Sequence, residues 1–369
     1  MTNTKKLLSP LDIGPLILAN RVLMAPMTRS RSAQPGDIPT ALNAEYYGQR
    51  ASAGLVISEG IPISPGAKGY AYTPGIYTDA QQAGWKRVTD RVHANGGLIA
   101  AQLWHVGRIA HHSVLPPGQA PLAPSAIRAR SKTFAFDENG VPAMVDCDPP
   151  QALSEKGIAA VIEEFVQAAK RAMAAGFDLV ELHGANGYLL EQFLSVSTNQ
   201  RTDGYGGTLE NRARFVLEVV DAVSAAIGAE RVGIRLSPWC PPSVNDMDFQ
   251  VEARDITLYL AAALSVRHIA YLHLAEWPGA PYPPGFRNQL RSAFTGAIIV
   301  CGGYQQDSAQ ALLEQELIDA VAFGKPFIAN PDLPRRFALG ASLAEPDGST
   351  FYGGDARGYT DYPSLPSRS

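Results

Sequence analysis

The segment SEKGIAAVIEEFVQAAKRAMAAGFDLVELHGANGY (residues 154–188) contains a complete helix–turn–strand unit. Apolar residues recur at helical spacing within residues 158–173, Ser154 precedes them as a helix N-cap, and Gly176 ends the pattern. The apolar run at residues 179–182 then has the composition of a strand that is buried on both faces. The segment therefore predicts a helix that leads directly into a buried parallel strand.

Seven further apolar runs of strand-like composition occur along the chain, and helical patterns fall between them. The eight runs cover residues 22–25, 55–58, 98–103, 179–182, 232–236, 269–272, 297–300 and 320–323. Eight alternating strands and helices without a linker are typical of an α/β fold of the (β/α)8 TIM-barrel type, and we predict one domain over residues 1–369. Two doubly wound domains are the alternative, but no break in composition divides the chain.

Helix starts and insertions complete the predicted architecture. We place helix starts at Asp79 and Asp307, each with a glutamine three residues later as a capping box, and at Thr208. Weaker helical patterns cover residues 41–52, 250–265, 284–293 and 331–338. We also expect a small hairpin within residues 7–18, an insertion over roughly residues 106–153, and a Gly- and Tyr-rich tail over roughly residues 341–369.

The composition excludes several classes of protein. With 369 residues, a net charge of −4 and 46% hydrophobic residues, the chain is neither basic like a nucleic-acid-binding protein nor disordered in composition. No apolar run reaches the ~20 residues that cross a bilayer, and no secretory signal is recognisable. Cys147, Cys240 and Cys301 are scattered, which disfavours a disulfide framework, a zinc site or an iron–sulfur cluster. We expect a cytoplasmic monomer or small homo-oligomer with small-molecule partners and no membrane or nucleic-acid partner.

In a (β/α)8 barrel, functional residues lie where the strands end. Gly302 and Gly303 follow the seventh run, and Gly324 and Lys325 follow the eighth. Exposed backbone N–H groups and a cation at these positions suit a phosphate group. The alternative is that the glycines only permit tight turns.

Two polar side chains end buried strands. Arg235 in such a position needs an anionic or acceptor partner, and Gln102 offers a donor and an acceptor that match an imide-like edge. The alternatives are a salt bridge from Arg235 to Glu59 or Glu181, and an ordinary core hydrogen bond for Gln102.

The turn after the fourth run carries residues suited to catalysis. His183 and Asn186 can direct two donors at an oxygen that gains negative charge, and Tyr188 can donate a proton. A structural histidine or a metal ligand is the alternative for His183, but a third ligand is missing nearby, and we expect no metal. Three aromatic residues of predicted loops are further candidates, with loop packing as the alternative: Tyr70, Trp104 and Tyr352.

Six long motifs, in order, span nearly the whole chain. They are NRVLMAPMTR (residues 20–29), AQLWH (101–105), HGANGYL (183–189), residues 193–212, FGKPFIANPDL (323–333) and FYGG (351–354). In these motifs the chain resembles the flavin reductases of the Old Yellow Enzyme family. It is similar to the bacterial branch that includes N-ethylmaleimide, pentaerythritol tetranitrate and morphinone reductases.

The resemblance implies a barrel that binds FMN noncovalently and takes electrons from NADPH or NADH. It implies that the flavin is held by Ala25, Pro26, Met27, Thr28, Gly60, Gln102, Arg235, Gly302, Gly303, Gly324 and Lys325. It also implies hydride transfer from NAD(P)H to FMN, and then from flavin N5 to the β-carbon of an activated alkene such as an α,β-unsaturated carbonyl compound, a maleimide or a nitroalkene.

The same resemblance implies roles for the residues around the substrate. His183 and Asn186 would bind the activating oxygen, and Tyr188 would protonate the α-carbon. The aromatic residues named above would border the substrate, and nitro compounds and nitrate esters are further candidate substrates. A flavin-binding redox sensor or carrier without alkene turnover is the alternative, although such a protein needs no proton donor.

The chain departs from the family pattern at three places. Lys325 stands where this branch has arginine, which keeps the cation but loses the bidentate geometry. The loop WCPP (residues 239–242) and the short stretch at residues 276–282 differ from the loops that border the substrate in the family. Two other barrel enzymes fit less well. A dienoyl-CoA-type reductase needs an iron–sulfur cluster, and a cofactor-free phosphate-sugar enzyme would be colourless.

Overall fold

The computed structural model describes residues 5–248 and 252–366, and strands alternate with helices along them. The strands are β1 (Leu11–Ile13), β2 (Leu16–Leu18), β3 (Val22–Met24), β4 (Val56–Pro62), β5 (Ile99–Trp104), β6 (Leu122–Ala123), β7 (Lys132–Phe136), β8 (Pro142–Asp146), β9 (Gln151–Ala152), β10 (Leu179–Gly184), β11 (Val232–Leu236), β12 (Tyr271–Ala275), β13 (Ala297–Cys301) and β14 (Ala320–Phe323). The α-helices are α1 (Ala41–Gln49), α2 (Asp79–Ala94), α3 (Glu155–Ala174), α4 (Leu189–Leu194), α5 (Leu209–Ile227), α6 (Ala253–Ser265), α7 (Phe286–Ala293), α8 (Gln306–Glu314), α9 (Lys325–Ala329) and α10 (Leu333–Leu339).

Eight of these strands close into a parallel barrel, so the predicted (β/α)8 fold is confirmed. Their order around the barrel is β3-β4-β5-β10-β11-β12-β13-β14, and β14 pairs with β3. Because the strands run in one direction, their carboxyl ends meet at one end of the barrel. At this end of the barrel, the strand pairing places Arg235 between His183 on one neighbouring strand and His273 on the other.

Most predicted ends lie within a few residues of the observed ones, and the largest strand shift is at β4, which continues to Pro62 beyond the predicted residue 58. The sixth barrel strand continues to Ala275, beyond the predicted residue 272, because His273 is buried with an acidic partner on β10. The N-cap of helix α2 is Thr78 and not the predicted Asp79. The Gln81 side chain accepts a hydrogen bond from the Thr78 N–H and completes the capping box.

Helix α8 shows the same kind of shift. It is capped by Gln305 with Ser308, ahead of the predicted Asp307. The predicted N-caps Ser154 and Thr208 are confirmed. The helix predicted over residues 250–265 is α6, and residues 250 and 251 lie outside the described part of the chain.

The hairpin, insertion and tail cover the two ends of the barrel. Strands β1 and β2 form the predicted antiparallel hairpin, and Ile13 and Leu18 pack against Ala270 and Ala320. In the insertion between β5 and α3, β7 and β8 pair, and Phe134 O accepts a hydrogen bond from the Ala71 N–H at 2.7 Å. None of the helices in the described ranges combines the length and apolar composition that crossing a bilayer requires.

The carboxyl-terminal tail is tied to the loop that follows β3. The Arg29 Nε donates to Phe351 O at 2.9 Å, and the Arg31 guanidinium donates to Thr350 O at 2.8 Å. The Tyr359 ring stacks on the Tyr46 ring with centroids 4.0 Å apart. These contacts hold the tail over the carboxyl end of the barrel.

Candidate functional site

A cavity of about 760 Å³ opens where β3, β11, β12, β13 and β14 end. Its volume falls in the range of about 300–1,000 Å³ that is usual for cofactor and ligand sites. Nine of the eleven residues predicted to hold the cofactor line it: Ala25, Pro26, Met27, Thr28, Arg235, Gly302, Gly303, Gly324 and Lys325. The barrel therefore brings these distant parts of the sequence to one cavity.

Arg235 is the charged group that reaches this cavity from within the barrel. It is buried, with 7% of its surface exposed. Its Nε has no hydrogen-bond partner, and no described carboxylate oxygen lies within the 4.0 Å of an ion pair. The predicted alternative, a salt bridge to Glu59 or Glu181, is thus not formed. A buried guanidinium without an anion is an incomplete site that an external acceptor can complete.

Glu181 is unavailable to Arg235 as an ion-pair partner because two other side chains hold it. Gln102 Nε2 donates to its Oε1 at 2.8 Å, and His273 Nδ1 lies 2.8 Å from its Oε2. Burial opposes the carboxylate, but His273, Arg235 and Gln102 outweigh it and lower the pKa of Glu181. Burial lowers the pKa of His273, so the pair is a carboxylate and a neutral imidazole. The core hydrogen bond considered for Gln102 is therefore present.

Three glycines and a lysine form another part of the cavity lining: Gly302, Gly303, Gly324 and Lys325. Gly303 adopts φ +77° shortly before α8, and a Cβ on Gly302 would lie 2.7 Å from Glu276 Cβ. Lys325 is exposed and forms no ion pair with a described residue. Glycines that the backbone requires, next to a free cation, suit a phosphate group.

Gly60, on β4, is required by packing. A Cβ at this position would lie 2.7 Å from Cε3 of the Trp104 indole, so only glycine lets that ring pack against the strand. Gly60 and Gln102 are the two predicted cofactor residues that do not line the cavity.

An aromatic cluster lies at the carboxyl ends of β5 and β10. Trp104 is 5.2 Å from Tyr70 and 4.9 Å from Tyr188 between ring centroids, and the Tyr70 and Tyr188 hydroxyls are 3.1 Å apart. The His183 ring is 4.9 Å from the Tyr188 ring. Burial raises the pKa of Tyr188 to about 12, so its phenol stays protonated.

His183 is a neutral hydrogen-bond donor. Burial, with the charge of Arg235 as a further cause, lowers its pKa well below the usual value. Its Nδ1 accepts the Ala185 N–H at 3.4 Å, which assigns the proton to Nε2. Of the other predicted substrate residues, Asn186 and the 59% exposed Tyr352 line the cavity. The structure therefore brings the neutral imidazole and the phenol together, whereas His183, Tyr188, Tyr70 and Trp104 are not among the residues that line the cavity.

The turn that carries Asn186 is held by residues that the sequence analysis missed. The Asn186 N–H donates to Ser237 Oγ at 2.7 Å, and Ser237 Oγ donates to Glu191 Oε1 at 2.5 Å. The Gly187 N–H donates to Glu191 Oε2 at 2.5 Å. Burial raises the pKa of Glu191 to about 7, although both hydrogen bonds oppose the rise. An acidic residue three positions after the helix N-cap Tyr188 was the available signal.

Glu276 lines the cavity and is a further residue that the sequence analysis did not assign. Its two oxygens accept from Arg287 at 2.8 and 2.7 Å, and Tyr304 OH donates to one of them at 2.5 Å. This charge-neutral cluster anchors the short stretch after β12 to the wall.

A separate polar cluster lies in the insertion. His111, His112 and Asp148 each place one ligand-type atom within 4.8 Å of the others, and no other such group occurs in the described ranges. His112 is exposed, and its Nδ1 is 2.8 Å from Asp148 Oδ2. A surface hydrogen-bonded pair accounts for these contacts.

Comparison with known proteins gives close matches over the whole barrel. The NADH:flavin oxidoreductase / NADH oxidase family matches residues 6–343. The 12-oxophytodienoate reductase 1 of Oryza sativa subsp. japonica is 45% identical over 370 residues, which cover 97% of this chain and 93% of that protein. The flavin oxidoreductase hxnT of Emericella nidulans is 44% identical over 386 residues and 97% of both proteins.

Solved structures agree with these matches. Morphinone reductase in complex with tetrahydroNAD superposes with a TM-score of 0.94 at 55% identity, over 98% of both chains. The Old Yellow Enzyme homologue from Zymomonas mobilis superposes with a TM-score of 0.92 at 39% identity, over 98% of this chain and all of that one.

The raised pKa of Glu191 predicts a specific pH dependence of stability. The folded-state pKa of about 7 lies above the value of about 4.3 in an unfolded chain. The folded state therefore prefers the protonated form, and the stability that this preference contributes is lost as pH rises from about 4.3 to about 7. Relative to Glu191→Gln, the wild-type melting temperature should fall over that interval and level off above it.

Scanning calorimetry of both proteins from pH 5 to 8.5 measures this difference. Glu163→Gln, at an exposed position of α3, is the control and should run parallel to wild type. Parallel profiles for Glu191→Gln would contradict the assignment.

Proposed function

The chain belongs to the NADH:flavin oxidoreductase / NADH oxidase family, and on this basis we propose that it is an ene-reductase for activated alkenes. It is an NAD(P)H-dependent enzyme that acts on C=C bonds and uses noncovalently bound FMN. Its resemblance to the Old Yellow Enzyme family is confirmed. The proposed substrates are α,β-unsaturated carbonyl compounds, maleimides and nitroalkenes, with nitro compounds and nitrate esters as further acceptors.

The cavity fits FMN at both of its ends. The unpaired Arg235 guanidinium offers donors to the pyrimidine edge of a flavin, and the wall formed by Gly302, Gly303, Gly324 and Lys325 suits its phosphate. Ala25 to Thr28 would complete the flavin site. Gly60 and Gln102, which were also predicted to hold the flavin, lie outside the cavity lining. FMN, once bound, carries two electrons from the nicotinamide donor to the alkene.

The observation that carries the proposal is the contact of a neutral imidazole with a protonated phenol at the carboxyl end of β10, in the turn whose Asn186 lines the cavity. His183 Nε2 and the Asn186 amide bind the carbonyl or nitro oxygen and stabilise the negative charge that develops on it. Tyr188, held by the Tyr70 hydroxyl, supplies the proton for the α-carbon. Tyr70, Trp104 and Tyr352 border the substrate.

The proposed proton donor is tested by Tyr188→Phe. This change should slow the oxidative half-reaction with 2-cyclohexenone by roughly 10²–10⁴-fold, because it removes the general acid. Reduction of the bound flavin by NADPH or NADH should stay nearly unchanged, since that step needs no proton from Tyr188. Stopped-flow absorbance of the holoenzyme, under anaerobic conditions, follows the two half-reactions separately.

Equal losses in both half-reactions would show that Tyr188 is not the acid. The wild-type protein also separates an ene-reductase from a flavin-binding sensor or carrier. An ene-reductase forms cyclohexanone in proportion to the NAD(P)H consumed, whereas a carrier consumes NAD(P)H only when oxygen is present.

The proposed phosphate contact is tested by Lys325→Gln. Loss of one charge-assisted contact should weaken FMN binding about tenfold. Riboflavin, which lacks the phosphate, should bind wild type and variant equally well. Fluorescence titration of the apoprotein with each flavin measures both affinities. A loss of affinity that is equal for FMN and riboflavin would place Lys325 away from the phosphate.

A further inference from the structure

A buried carboxylate supports the turn that carries two of the proposed substrate-contacting residues. Glu191 is 1% exposed and Ser237 is fully buried. Glu191 accepts hydrogen bonds from the Gly187 N–H and the Ser237 hydroxyl, and Ser237 Oγ accepts the Asn186 N–H. This Asn186–Ser237–Glu191–Gly187 chain links the turn to α4 on one side and to the end of β11 on the other.

The backbone of this turn needs such support. Asn186 and Gly187 both have positive φ angles, +58° and +77°. Asparagine adopts this region more readily than most residues, but the conformation stays unfavourable without compensating contacts. Both N–H groups turn toward the Ser237–Glu191 pair, where they would be unpaired without these acceptors. The pair therefore stabilises the conformation that places Asn186 in the cavity wall and the Tyr188 ring beside His183.

In the Asn186–Ser237–Glu191–Gly187 hydrogen-bond chain, the number of donors equals the number of acceptor atoms when Glu191 is ionised. Three donors, the Asn186 N–H, the Gly187 N–H and the Ser237 O–H, meet three acceptor atoms, Ser237 Oγ and the two carboxylate oxygens. Glutamine at position 191 has nearly the same shape but replaces one acceptor by a donor. It therefore leaves at least one buried donor unpaired.

The carbonyl groups of the turn have separate partners. Gln192 Nε2 donates to Gly187 O at 2.7 Å, and Asn245 Nδ2 donates to Asn186 O at 2.7 Å. Loss of the Glu191 contacts therefore loosens the N–H side of the turn without releasing the turn from the fold.

We propose that Glu191, acting through Ser237, is a positioning residue that sets the affinity of the site for the activating oxygen of the substrate. The proposal rests on the proposed function, because Asn186 and Tyr188 meet a substrate only there. Glu191 does not line the cavity, so it acts through the turn and not by contact with substrate or flavin.

The test is binding of 4-methoxyphenol to the oxidised holoenzyme at pH 8.5, where Glu191 is ionised. A phenol stacked on a flavin gives a long-wavelength absorbance band, which reports occupancy without turnover. Glu191→Gln and Ser237→Ala should each raise the dissociation constant of the phenol about tenfold, the effect of one hydrogen bond to a charged group. The double variant should be no weaker than the single variants, because all three interrupt the same chain.

A matched control pair occurs elsewhere in the protein. Ser64 Oγ donates to Glu164 Oε2 at 2.8 Å, a serine–glutamate pair that contacts no residue of the turn. Ser64→Ala and Glu164→Gln should leave phenol affinity within about twofold of wild type, since neither residue lines the cavity or bonds to the turn. The FMN content of every variant should match wild type.

Three results would overturn the proposal. Lower melting temperatures with unchanged phenol affinity in Glu191→Gln and Ser237→Ala would make the pair purely structural. Additive losses in the double variant would show that Glu191 does not act through Ser237. A wild-type holoenzyme that neither binds the phenol nor reduces 2-cyclohexenone would remove the proposed function and this inference together. If Glu191→Gln does not fold, Ser237→Ala alone decides, because it keeps the carboxylate.

Discussion

The buried guanidinium of Arg235 reaches the cavity, no carboxylate of the described residues forms an ion pair with it, and the chemistry of the site depends on this arrangement. Gln102 and His273 already bind the nearby carboxylate of Glu181. This carboxylate therefore weakens the positive electrostatic field around Arg235 without forming an ion pair with it. An unpaired cation in a low-dielectric wall stabilises negative charge that develops opposite it. Burial, and to a lesser extent the same field, keep His183 neutral, which leaves that imidazole as a donor and not as a second cation.

The fold was predictable because its signals are local. Each barrel strand is a short apolar run, and several helices start at a serine or threonine N-cap such as Ser154 or Thr208. Since (β/α)8 barrels assemble their sites at the carboxyl ends of the strands, Arg235, Gly302 and Lys325 could be assigned to one site before any coordinates. The errors arose where tertiary contacts changed an end, as at His273, whose burial with Glu181 extends β12.

The partners of these residues could not be predicted from the sequence. Whether Glu59 or Glu181 forms an ion pair with Arg235 depends on barrel register and on side-chain direction. Among the described residues, neither of these two glutamates forms that ion pair. Gln102 donates a hydrogen bond to Glu181 within the core. From its position in an apolar run alone, this core contact could not be distinguished from a contact to a ligand. Glu191 and Ser237 lie 46 positions apart, so their hydrogen bond becomes visible only in the folded chain.

The bound cofactor, and not the protein, is expected to supply the partner of the Arg235 guanidinium. Scanning calorimetry of Arg235→Met, with and without added FMN, tests it most directly. We expect the variant apoprotein to melt no lower than the wild-type apoprotein, while the rise in melting temperature on adding FMN is largely lost. An apoprotein that melts well below wild type, with an unchanged rise on adding FMN, would contradict it.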